Sequence, residues 1–130
     1  MLKKHKTLVF SALLFGVLYS LISLVNHYYF RTYALDLGAY TNALYDYVHF
    51  QWNDSTVFKN VSENLLADHF DLYLFLLAPL SLLFGTYTLL IVQIAFLLFG
   101  GVGVYAYLLS SGKSKSIALF AAIFFYSFFG

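Results

Sequence analysis

The sequence predicts an all-α integral membrane protein, and three observations carry that expectation. Hydrophobic residues make up 62% of the 130 positions and charged residues 10%, with a mean hydropathy of +0.79. A water-soluble domain holds about 25% charged residues, so this chain cannot cover a surface for water. Two charge-free runs are each long enough to cross a bilayer. Between them, residues 31–71 hold all six acids: Asp36, Asp46, Asp54, Glu63, Asp68 and Asp71. Residues 1–30 carry +3 (Lys3, Lys4, Lys6), residues 31–71 carry −4 once Arg31 and Lys59 are counted, and residues 72–130 carry +2 (Lys113, Lys115), leaving the net +1.

The same composition excludes several classes. No Lys/Arg cluster offers a groove for a phosphate backbone, so no nucleic-acid partner is expected. Cysteine is absent, which removes disulfides, thiolate metal sites and cysteine nucleophiles.

Taken in order, Met1 to Lys6 is a short basic leader and residues 7–29 are expected to form the first transmembrane helix. The apolar stretch of about 22 residues reaches about 33 Å, against a hydrocarbon core of about 30 Å. It exceeds a signal-peptide core and lacks an A-x-A-like cleavage site. The reading is an uncleaved span with its lysine-rich end in the cytoplasm, which puts residues 31–71 outside. Within that outer segment Leu37, Tyr40, Leu44 and Tyr47 recur at the spacing of an amphipathic helix, expected along the outer membrane surface. Gln51 to Lys59 lacks periodicity and reads as loop, and Ser62 with Glu63 reads as a helix start.

Residues 72–84 are apolar but interrupted by Pro79, and reach only about 20 Å. They are expected to form a half-inserted or interfacial helix. Residues 87–109 are then a full transmembrane helix that returns Lys113 and Lys115 to the cytoplasm, in keeping with the positive-inside rule. Residues 116–130 read as the start of a further transmembrane helix, so the sequence reads as the amino-terminal part of a longer protein. The run Gly100, Gly101, Val102, Gly103 inside a span points to close helix packing rather than to a phosphate loop.

Candidate chemistry gathers on the acids. Asp36 follows the first span closely, where a carboxylate can meet a lipid headgroup, act as a general base or bind a divalent cation. A helix cap is the alternative. Asp68, His69 and Asp71 form a second group before the apolar half-helix, able to ligate a cation or orient a sugar hydroxyl or phosphate. On a regular helix Asp68 and Asp71 share a face while His69 points about 100° away, so a pair is expected to act together; an ordinary polar helix start is the alternative. Asp36, Asp68 and Asp71 are thus the metal-ligand candidates, for Mg or Mn. His27 is expected to be a packed, hydrogen-bonded histidine, and His49 and Trp52 members of an interfacial belt. Asn53-Asp54-Ser55 and Asn60-Val61-Ser62 match the glycosylation acceptor pattern.

The order of segments adds a resemblance. The stretches "ALDLGAYTNALYDYV", "ADHFDLYLFLLAPLSLLFG" and "TYTLLIVQIAFLLFGGVGVYAYLL", with the basic turn that follows, resemble the amino-terminal part of domain-of-unknown-function family 2079, a group of multi-pass membrane proteins. More distantly the chain is similar to the GT-C membrane glycosyltransferases, such as the protein mannosyltransferases and aminoarabinose transferases. That resemblance implies a catalytic or metal-binding role for Asp36, as the acid of the first outer loop, and places Asp68 and His69 at the second motif segment. There the usual pattern is His-Pro-Pro, whereas here it is Asp-His-Phe-Asp. It also implies a polyprenyl-phosphate sugar as donor. The expected function is therefore glycosyl transfer on the outer membrane face, with catalytic residues Asp36, Asp68 and His69. The competing expectation is a non-enzymatic membrane component, a transporter part or an assembly partner.

Overall fold

The computed structural model describes residues 5–32, 34–52, 54–55, 63–68 and 71–129. Among these residues the chain is helical apart from turns and one two-residue ladder. It divides into two compact units, Met1–Val25 with Ile91–Gly130, and Asn26–Leu90.

Helices α1 (Lys6–Tyr28) and α6 (Thr88–Ser110) have 23 residues each, about 35 Å of helix, and both lie in runs long and apolar enough to cross a membrane. A helix at the heart of a soluble protein would bury its large apolar side chains. On α1 the reverse holds, with Phe10, Leu13, Val17, Leu21 and Ile22 all more than half exposed. Such a surface suits hydrocarbon.

In the first unit, small residues make room for rings. Leu8, Tyr105, Ala118 and Ala122 form a buried cluster, the alanines coming from α7 (Lys115–Phe129). Gly100 and Gly101 on α6 face the rings of Phe125 and Tyr126, and a methyl group at Gly101 would overlap the Tyr126 ring. Gly103 meets nothing within 4 Å, so the packing role falls to the first two glycines of the run. Buried phenols need acceptors. Tyr126 donates to the Leu98 carbonyl at 3.0 Å, and Tyr19 donates to the Tyr126 carbonyl at 2.7 Å.

The second unit is built on α2 (Ala34–Val48). Against it lies a chain of one-turn pieces: α4 (Tyr73–Leu77), a 3₁₀ turn (Ala78–Leu80), α5 (Ser81–Phe84) and a second 3₁₀ turn (Gly85–Tyr87). Pro79 has no N–H to give an α-helical ladder, so the run tightens there instead of continuing. Gly85, at φ +54° and ψ −132°, takes a conformation open to glycine and turns the chain into α6. Ala43 and Leu44 of α2 are buried against Leu74 and Ala78, with Tyr40, Tyr47 and Leu77 around them. The Tyr47 ring stacks on Phe75 at 4.1 Å. Tyr40, Leu44 and Tyr47, expected to rest on the membrane surface, are thus covered by protein. Helical period tells which face is apolar, not what covers it.

Helices α1, α2 and α6 end in the same device. The amides of Arg31, Gln51 and Lys113 donate back to the carbonyls of Asn26, Asp46 and Leu108, closing each last turn. The left-handed residue in the third case is Gly112, at φ +75°, but in the first two it is Phe30 and Phe50, each at φ +55°. Both phenylalanine side chains are almost fully exposed, at 95% and 98%.

The acidic interval differs from its sequence reading. Asp54–Ser55 pairs antiparallel with Glu63–Asn64, and the short helix α3 (Leu65–Asp68) begins after that pair. Glu63 therefore sits in a ladder rather than in a helical first turn; two-residue strands have no period to detect. Ser62, Asn53 and Asn60 lie outside the described residues.

Candidate functional site

Asp36 lies in the first turn of α2, where the positive end of the helix dipole favours a carboxylate. It is exposed. Tyr40, one turn later on the same face, is half-buried and donates its hydroxyl to Oδ2 of Asp71 at 2.9 Å. Asp71 directly precedes the turn that starts α4, where its carbonyl accepts the Leu74 amide at 3.2 Å. Burial pushes the Tyr40 phenol up to about 12, helped by its bond to Asp71 and by the negative charges of Asp71 and Asp36. Asp71 thus acts on this hydroxyl by a hydrogen bond, and Asp36 by its charge alone.

Asp68 closes α3, three positions before Asp71, but its side chain and His69 lie outside the described residues. Among the described residues no group of three or more His, Cys, Asp or Glu could hold a metal ion. Asp36 and Asp71 are two hard oxygen donors of the kind Mg or Mn accepts.

A second feature occupies another face of α2. A cavity of about 580 Å³ runs along Leu37, Gly38, Thr41, Asn42 and Tyr45. Its far walls are His27 in the last turn of α1 with Phe30 and Thr32 just after it, and Ser81, Gly85 and Thr86 before α6. His27 ties these walls together. Its Nδ1 is 2.9 Å from the Thr32 hydroxyl and its Nε2 is 3.0 Å from the Thr86 hydroxyl. In the neutral ring one nitrogen donates and the other accepts, so one threonine accepts while the other donates. The ring also meets Tyr87 edge-on at 4.7 Å. His27 is packed and hydrogen-bonded, as its sequence context suggested, and it also lines a cavity. A contact between residues 27 and 86 leaves no trace in local spacing.

Two further groups in the unit were not picked out as site residues from the sequence. Asp46 is buried and accepts from Asn42 Nδ2 at 3.0 Å. The buried Tyr47 hydroxyl has no hydrogen-bond partner among the described residues. Burial raises its pKa, with Asp46 and Asp71 adding to the effect.

Comparison with known proteins adds one positive finding. The model of a family described as "Predicted membrane protein (DUF2079)" matches residues 26–128. No curated protein and no solved structure matches the chain.

Proposed function

The chain belongs to the DUF2079 family of membrane proteins, and from that premise we propose that it handles a lipid-linked sugar at the outer face of the membrane. The reaction is transfer from a polyprenyl-phosphate donor. The observation that supports this reading is the Tyr40–Asp71 hydrogen bond, which ties the start of α4 to the helix that carries Asp36 in its first turn. Asp36, exposed and eight positions past the end of a candidate span, would receive the proton of an acceptor hydroxyl. The acceptor oxygen then bonds to the anomeric carbon, and the phosphate leaves with the electrons of the broken bond. Asp71, held by Tyr40, positions the second wall of the site, and Asp68 and His69 adjoin it in sequence. A divalent cation, where Asp36 and Asp71 hold one, would neutralise charge on the leaving phosphate.

In this reading the amino terminus is cytoplasmic and residues 31–71 lie outside. Residues 72–84 rest half-inserted, since Leu74 and Ala78 pack on α2 while Leu76, Leu82 and Leu83 are each more than two-thirds exposed. An exposed apolar strip beside a covered one suits an interfacial position. The glycosyltransferase reading also draws on the GT-C resemblance of the segment order.

The competing reading is a non-enzymatic membrane component, in which the Tyr40–Asp71 bond only fastens α2 to the start of α4. Asp36→Asn in the full-length protein separates the two. In vesicles supplied with labelled polyprenyl-phosphate sugars, the substitution is expected to cut transfer by at least about a hundredfold while membrane insertion is unchanged. Undiminished transfer by the variant would sink the assignment.

A further inference from the structure

We propose that the cavity beside α2 is a binding site for an uncharged, hydroxyl-bearing ring, with a simple pyranoside as its model ligand. The inference goes beyond the transfer reaction, because it concerns a different face of α2 and is tested by binding alone. Helical period sets Thr41 and Tyr45 away from Asp36, Tyr40 and Tyr47, and among the described residues no carboxylate lines this space.

Size, charge and hydrogen bonding together define the ligand. About 580 Å³ falls within the roughly 300–1,000 Å³ of small-molecule sites. Among the described residues the lining holds no Asp, Glu, Lys or Arg, so an ionic ligand would lose its hydration without gaining a counter-charge from them. A purely hydrocarbon ligand fails for the opposite reason. The Thr41 hydroxyl has no hydrogen bond among the described residues, and Ser81, which donates to the Ala78 carbonyl at 2.7 Å, keeps free acceptor capacity. Stripping water from these groups without replacement costs about 1–3 kcal/mol each. Ligand hydroxyls both donate and accept, as do the threonine and serine hydroxyls that face them. The exposed rings of Phe30 and Tyr45 offer flat apolar faces to the C–H side of a sugar ring.

The walls are also held in place. His27 fixes Thr32 to Thr86.

Saturation-transfer NMR on the full chain in phosphatidylcholine nanodiscs tests the proposal. The probes are methyl glucoside, galactoside and mannoside, together with glucose 6-phosphate and cyclohexylmethanol. At least one methyl glycoside should bind saturably and out-compete both the phosphate and the cyclohexyl compound. Thr41→Val, nearly isosteric, should weaken it about tenfold, the loss of one hydrogen bond. Gly38→Leu serves as the second variant: a Cβ at Gly38 meets nothing within 4 Å, and leucine is the better helix former, so the side chain should plug the cavity without harming the fold and abolish binding. Asp36→Asn, which tests the transfer reaction, should leave this binding unchanged. The proposal is overturned if no glycoside binds, if glucose 6-phosphate binds as well as the neutral sugar, or if binding survives Gly38→Leu.

Discussion

Tyrosine marks the contrast between the two units. In the unit made of Met1–Val25 and Ile91–Gly130, Tyr19 and Tyr126 each give their hydroxyl to a backbone carbonyl, and the surroundings are glycine, alanine and apolar side chains. In Asn26–Leu90, Tyr40 gives its hydroxyl to a carboxylate, and the Tyr47 hydroxyl stays buried without a partner among the described residues. The first arrangement satisfies a polar group at least cost and joins helices. The second keeps charge next to a phenol that burial already disfavours ionising. Packing explains the first fully. It leaves the second with an exposed carboxylate, Asp36, beside that bonded pair, which is why the proposed chemistry is assigned there.

The contrast can be broken from either side. The largest effect is expected from Leu44→Ala, which empties a fully buried position between Leu74 and Ala78. A loss of about 2–5 kcal/mol is expected from such a core truncation, read as a lowered unfolding midpoint in detergent titration. If most of that loss is absent, α2 is not seated on α4 as described. On the other side, Gly101→Ala forces a methyl group into the Tyr126 ring, and overpacking of this kind costs about 1–3 kcal/mol. Gly103→Ala, two residues away with open space, should be neutral or slightly stabilising, because alanine is the better helix former. Equal effects at both glycines would remove the case for ring-into-glycine packing.

How much of this was legible beforehand depended on the range of each signal. The all-helical class and the two long apolar helices show in runs without charge, because a membrane-spanning segment advertises itself residue by residue. The glycine run was readable for the same reason: small residues inside a span have few roles. The apolar stripe of α2 was also visible, but its cover was not, since Tyr40, Leu44 and Tyr47 look alike whether they meet lipid or Leu74. What stayed hidden is long-range. Tyr40 meets Asp71 across 31 positions, and His27 meets Thr86 across 59. A single sequence carries no covariation to reveal such pairs. Asp36 and Asp71 were picked out as separate candidates by residue type; that Tyr40, one turn from Asp36, bonds to Asp71 is a property of the fold.

The most direct test of that contact is the titration of Tyr40 itself, followed by NMR of ring-labelled tyrosine and assigned by Tyr40→Phe. Its folded pKa, about 12, lies above the ordinary value of about 10. Between those pH values the folded chain keeps a proton that the unfolded chain has released. The stability contributed by the proton is therefore whole below about pH 10 and lost as pH rises toward 12. The account predicts a Tyr40 resonance that titrates near 12 and moves down toward the ordinary value in Asp71→Asn, with a smaller downward move in Asp36→Asn. A Tyr40 that titrates near 10 and ignores both substitutions would contradict the Tyr40–Asp71 contact on which the proposed site rests.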